Sequence, residues 1–156
     1  MSLTHIDEKG NAKMVDVSEK QVTKREAIAV GKISMNLETL DMIIEGNTPK
    51  GDVLATARIA GIMGAKKTYE LIPMCHNIPI DSVKVELKPN RAEKAIEITA
   101  IAKCTYKTGI EVEALTAVSI AALTIYDMCK AVDRGMVIGD ITLVKKTGGK
   151  SGTFEK

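Results

Sequence analysis

Four stretches of this chain carry residue types at spacings suited to proton transfer or anion binding. The first is Pro49-Lys50-Gly51-Asp52. Asp52 is a good helix N-cap, so Lys50 stands at a helix start, where unpaired N–H groups and the helix dipole favour an anion. The second, Pro73-Met74-Cys75-His76-Asn77, holds the one histidine besides His5. Imidazole suits proton transfer or phosphate contact because it titrates near neutrality. The third is a helical stretch that opens on Glu111-Val112-Glu113 and closes on Asp127-Met128-Cys129-Lys130. Asp127 and Lys130 are three apart and share a face, where an aspartate can hold and tune a lysine for acid–base work. Glu113 lies near the same face, but at about 1.5 Å of rise per residue it is roughly 20 Å away. One helix cannot bring both ends onto one small group of atoms.

The fourth stretch runs from Lys145 to Gly152. Its Gly149-Lys150-Ser151 imitates the end of a phosphate-binding P-loop, yet the required first glycine falls at Val144 and no helix follows. A lysine-bearing tail that closes over an anion survives that test. Taken singly, each stretch also has an ordinary structural role: a solvated lysine, a polar loop, a surface ion pair, a loose tail. An i,i+3 pair contributes only about 0.2–0.5 kcal/mol to a helix. Together the four supply groups for acid–base work on a phosphorylated substrate, and they do not name the reaction.

Composition narrows the field. The chain has 22 Lys+Arg against 20 Asp+Glu, a balance unlike that of a nucleic-acid coat protein or a polybasic membrane binder. Aromatic residues are 3% of the chain, too few for a protein that stacks single-stranded bases. Cys75, Cys104 and Cys129 are odd in number and widely spaced, so no disulfide framework is expected, and Cys104 and Cys129 sit in apolar patterns typical of core. No Cys or His pair has zinc-ligand spacing, so no metal ligand is assigned. Met1–Asp16 lacks the apolar run of a signal peptide, and Ala117–Tyr126 is too short to cross a bilayer. A cytoplasmic protein is expected, with neither nucleic acid nor membrane as partner.

The elements that must position these groups are legible as patterns. Ala27–Met35 reads as a strand whose alternation shifts phase near Gly31, which predicts a bulge there. Leu37–Glu45 puts Leu37, Leu40, Ile43 and Ile44 on one helical face and is followed by Gly46 as terminator. The next helix is capped by Asp52 and runs toward Ile72, with Gly61 and Gly64 as points of kinking or close packing. Val83–Leu87 and Ile96–Cys104 alternate as two strands of a hairpin, Glu111–Val132 is the strongest helix, and Met136–Lys145 is a last strand. The order β-α-α-β-β-α-β predicts a ferredoxin-like α+β sandwich on an antiparallel sheet. The chain reads as a single domain over 1–156, with flexible tails at about 1–26 and 147–156.

Six ordered segments give the chain a further signature: MVDVSEK (14–20), KGDVLATARIAGI (50–62), IPMCHNIPI (72–80), KTGIEVEALTA (107–117), TIYDMCKA (124–131) and KTGGKSG (146–152). Together with LTHID at residue 3, they resemble the molybdenum-cofactor biosynthesis protein C family over nearly the whole chain. Met74 and Asn77 depart from the Leu and Pro usual beside the Cys-His pair, which bears on local loop shape.

The resemblance implies a cyclic pyranopterin monophosphate synthase. Such an enzyme takes 3′,8-cyclo-7,8-dihydro-GTP from a radical GTP cyclase and releases pyrophosphate. It also implies a homohexamer arranged as a trimer of dimers and no resident cofactor, with Mg²⁺ able to accompany the triphosphate. By similarity Lys50, Asp127 and Lys130 form the acid–base group. Glu113, with Glu111 and Cys75, lies where the base is held, and Arg25, His76 and Lys146 lie around the triphosphate. A non-catalytic ferredoxin-like module that senses a nucleotide is the alternative: it needs the anion contacts but no tuned Asp127–Lys130 pair.

Overall fold

The computed structural model describes residues 3–156. Nine elements follow one another: β1 Thr23–Ser34, α1 Leu37–Glu45, α2 Val53–Lys66, α3 Thr68–Leu71, β2 Ile80–Asn90, β3 Ala95–Tyr106, α4 Glu111–Cys129, β4 Val137–Thr147 and β5 Phe154–Glu155. The strands form one sheet in the order β2-β3-β1-β4-β5, with every neighbouring pair antiparallel. This is the predicted ferredoxin-like α+β sandwich, enlarged by the one-turn α3 and the two-residue β5.

The core lies between one face of the sheet and the helices. From β1 come Ala27, Ala29 and Ile33, and from β3 come Ile96, Ile98, Ala100, Ala102 and Cys104, all essentially buried. The covering face of α4 is built of small residues, Ala114, Ala117, Val118, Ala121 and Ala122. Small residues let the helix lie close to the sheet, and Gly31 makes room for it: a Cβ at that position would stand 2.6 Å from Val118 Cγ1. Gly61 and Gly64 do the same where α2 packs on α4, facing the Ala117 carbonyl and the Ile120 side chain. Close packing, rather than a kink, is therefore what these glycines provide, since α2 passes through both. The 19 residues of α4 are long and apolar enough to cross a membrane by length and composition alone. Its apolarity is accounted for by the face it buries.

Local signals hold where they were strongest. Asp52 Oδ1 accepts from the Ala55 N–H at 3.0 Å, capping α2. Gly46 ends α1 at φ 75°, its N–H directed to the last-turn carbonyls.

Four boundaries differ from the sequence expectation. The predicted long helix breaks after Lys66, where the Lys67 N–H reaches the Met63 and Gly64 carbonyls and the Thr68 hydroxyl donates to Gly64 O at 3.2 Å. The bulge opposite Gly31 sits in β4: Val30 pairs with Thr142 but Lys32 with Gly139, and Asp140 takes φ 55° in the extra position. Burial in β1 itself alternates unbroken, because Ile28 and Val30 stand half-buried on the opposite face. β1 begins at Thr23, so Arg25 belongs to the sheet and not to a loose arm. Finally, the chain beyond Thr147 turns at Gly148 and Gly149, both at positive φ, and pairs Phe154–Glu155 with Lys146–Lys145.

Candidate active site

The first turn of α4 carries Glu111 and Glu113, where the helix dipole favours carboxylates. Glu113 is on the buried ridge of the helix, one turn before Ala117, and is 3% exposed. Burial pushes its carboxyl up to about 7, with the charge of Glu111 adding to the effect against a hydrogen bond from its own N–H. Near neutral pH this group is therefore both an acceptor and, in part, a donor. It lines a cavity of about 240 Å³ with Glu111, Cys75, His76 and Thr108, closed by Thr4, His5, Val15 and Val17 from the N-terminal segment. The Cys75 thiol is held above its usual range, first by burial and then by Glu113 and Glu111. It is a thiol in the wall, not an activated nucleophile. His76 donates Nε2–H to the Val15 carbonyl at 2.6 Å.

A second, wider cleft of about 660 Å³ shares Lys20, Thr108, Gly109 and Glu111 with the first. Its wall adds Arg25, Lys146 and Lys150, so the lining is strongly cationic. Arg25, on β1, is fixed by donating Nε–H to the Tyr106 carbonyl at 3.0 Å, with Gly149 packed against its guanidinium. Lys146, on β4, donates to Glu111 Oε1 at 2.9 Å. Two polar atoms of this wall, Thr23 Oγ1 and Glu111 Oε2, are buried without a partner. Unsatisfied buried polar atoms are rare in folded proteins, and these two belong to residues that line the cleft.

The third group is at the far end of α4. Lys130 Nζ lies 2.8 Å from Asp127 Oδ1, and Lys50 Nζ lies 3.4 Å from Asp127 Oδ2. All three side chains are about half exposed. The hydrogen bond and charge of Lys130, then those of Lys50, hold the Asp127 carboxyl below its ordinary value, and Asp127 in turn raises Lys130. That direction departs from a lysine tuned toward neutrality. In the free chain Lys130 is a firm cation that cannot accept a proton and is a weaker acid than an isolated lysine. About 1.5 Å of rise per residue over 14 residues separates this group from Glu113 by roughly 20 Å.

The structure thus gathers the nine sequence-selected residues into two sets. Glu111, Glu113, Cys75, His76, Arg25 and Lys146 surround the paired cavities, while Lys50, Asp127 and Lys130 form the distant triad. Within the first set His76 lines the cavity beside Glu113, and Arg25 and Lys146 line the cleft. Sequence reasoning did not assign Thr23, Lys20 or His5 to the site, although His5 and Lys20 lie in the LTHID and MVDVSEK segments. Lys150, in the lysine-bearing tail, stands in the cationic wall. Among the described residues no three His, Cys, Asp or Glu side chains converge as a metal site.

The fold and site define a ferredoxin-like protein in which an acidic, part-buried cavity opens beside a cationic cleft on one edge of the helical layer. The MoaC family profile matches residues 14–149, and the chain belongs to the MoaC family. It is 62% identical over 156 residues to the cyclic pyranopterin monophosphate synthase of Peptoclostridium acidaminophilum, covering all of this chain and 98% of that one. The protein of the same description from Clostridium acetobutylicum is 63% identical over 153 residues, 98% of this chain and 95% of its own. That from Pelotomaculum thermopropionicum is 56% identical over 154 residues, 99% and 91% of the two chains.

Proposed function

We propose that this chain is a cyclic pyranopterin monophosphate synthase, an enzyme of molybdenum-cofactor biosynthesis. It converts 3′,8-cyclo-7,8-dihydro-GTP to cyclic pyranopterin monophosphate and releases pyrophosphate. The observation that carries the reading is the shared wall: Glu111 borders both the Glu113 cavity and the cleft of Arg25, Lys146 and Lys150. A ligand with an N–H-rich ring at one end and a triphosphate at the other fits that division. Carboxyl groups accept the ring N–H bonds, and fixed cations offset the charge that collects on a leaving pyrophosphate. Full-length relatives described as this synthase support the same conclusion over a nucleotide-sensing module.

Ring opening, reclosure and cyclic-phosphate formation require several proton transfers. The acid–base group is read as Lys130, Lys50 and the Asp127 carboxylate that both lysines share. The site as read needs no redox cofactor. Because the triad lies roughly 20 Å from Glu113 on one helix, the working site joins the triad of one subunit to the cavities of another. A homohexamer built as a trimer of dimers meets that need. The substrate comes from a radical GTP cyclase, and the setting is the cytoplasm.

The test is turnover. The purified chain is given enzymatically prepared 3′,8-cyclo-7,8-dihydro-GTP, and product and pyrophosphate are followed by mass spectrometry and a coupled assay. Tight substrate binding without conversion would replace this reading with the sensing module.

A further inference from the structure

Residues 3–20 cross the mouth of the Glu113 cavity as a strap. Its outer part is a small built hairpin: Ile6 bridges Ala12, the Lys13 N–H donates to the His5 carbonyl at 2.9 Å, and Asp7 Oδ1 accepts from the Lys9 and Asn11 N–H groups. Its inner part is tied to the body at few points. Val15 O takes the His76 proton at 2.6 Å, Val17 is 8% exposed, and Lys107 Nζ reaches Ser18 O at 3.5 Å. A segment held by one buried side chain and two hydrogen bonds from lysine and histidine opens at low cost compared with the sheet. Yet the hairpin is ordered enough to present Thr4 and His5 to the cavity.

The cavity's hydrogen-bonding inventory shows what the strap adds. Away from the strap, Glu111 accepts, Glu113 accepts and in part donates, Cys75 is a weak S–H donor and Thr108 carries a hydroxyl. His76 spends Nε2–H on Val15, so in its neutral form its other nitrogen only accepts. A guanine-derived edge offers N–H donors beside a ring carbonyl, and the carbonyl needs a donor of its own. Among the described residues the His5 imidazole has no hydrogen-bond partner within the protein and faces the same cavity.

We propose that the strap is a closing wall of the substrate site and that His5 is a substrate-binding residue, donating to the ring carbonyl once the strap is down. The inference rests on the synthase reading for the identity of the ligand. His76 thereby acquires a second task as the anchor that sets the strap's position.

The experiment compares His5→Ala and His5→Gln in the full chain. Loss of one hydrogen bond predicts a KM for 3′,8-cyclo-7,8-dihydro-GTP raised about five- to tenfold in His5→Ala, with a smaller fall in kcat. His5→Gln keeps an N–H donor and should recover most of the loss. Strap closure is read by trypsin, which cuts after Lys9 and Lys13. In a Lys130→Ala background, where substrate is bound but not consumed, substrate should slow both cuts, and adding His5→Ala should raise the concentration needed for half protection about five- to tenfold.

Equal KM in all three proteins, or cleavage indifferent to substrate, overturns the proposal. Equal defects in the Ala and Gln variants overturn the donor role. A wild type that binds and protects its strap but never turns over sinks the synthase reading instead, so the two failures are distinguishable.

Discussion

Lys146 Nζ donates to Glu111 Oε1 at 2.9 Å, and that ion pair stands where the acidic cavity and the cationic cleft meet. In the proposed function each partner serves the substrate, the carboxylate its ring and the ammonium its phosphates. The free chain keeps both charges matched.

Replacing that lysine tests the arrangement. Lys146→Ala should raise KM by about tenfold or more, since a charge-assisted contact to phosphate is lost, while the chain stays folded. An unchanged KM would place Lys146 outside the substrate's reach.

At the other end of the helix, Lys130→Ala should leave folding intact and remove nearly all turnover. Positioned acid–base groups contribute about 10²–10⁴-fold, whereas a half-exposed pair such as Asp127–Lys130 adds little stability. A purified variant working within about threefold of wild type contradicts the role.

Glu113 gives the fold a pH dependence of known sign. Its folded-state value is raised from 4.5 to about 7, so between those values the native state binds more protons than the unfolded one. Stability from this group is present below pH 4.5 and falls as pH rises through 7, by up to about 3 kcal/mol. Glu113→Gln removes that loss. In urea titrations the variant should gain on wild type steadily between pH 5 and pH 8. Parallel curves would mean that the carboxyl is solvated and ordinary.

The separation of the two groups on α4 predicts a site shared between subunits. Arg25→Ala and Lys130→Ala are each expected to be inactive. Mixed after mild dissociation, they should regain activity, because some dimers then hold one intact site. Continued inactivity, with heteromers confirmed by native mass spectrometry, would mean that both residues serve within one chain. Arg25 is fixed on β1 by Tyr106, so it is the neighbour's triad that must approach.

Close approach of α4 to the sheet has its own test. A methyl at position 31 would stand 2.6 Å from Val118 Cγ1, so Gly31→Ala should cost about 1–3 kcal/mol in urea unfolding. Adding Val118→Ala should recover part of it. A double variant no better than Gly31→Ala would show that the strain lies elsewhere, with Ile141 the other near neighbour.

What the sequence determined by itself is local. The Asp52 cap, the Gly46 terminator, the i,i+3 pair of Asp127 and Lys130 and the element order follow from backbone and side-chain preferences over a few residues, and each is present in the structure. The resemblance added Arg25 and gave roles to the eight site residues already singled out.

Tertiary structure decided whatever depends on distant partners. Lys50 meets Asp127 across 77 positions, and Lys146 meets Glu111 across 35. Glu113 reads in the sequence as one more helix-start carboxylate, and only its burial moves it toward neutrality. The bulge was expected in the first strand because its residues shift phase, but register is a property of a pair, and the extra residue fell in β4. Thr23 carries no pattern, and the matched segments that hold His5 and Lys20 do not say what those side chains face. All three line the cavities because the chain ends fold back over α4, which no window of neighbouring residues can encode.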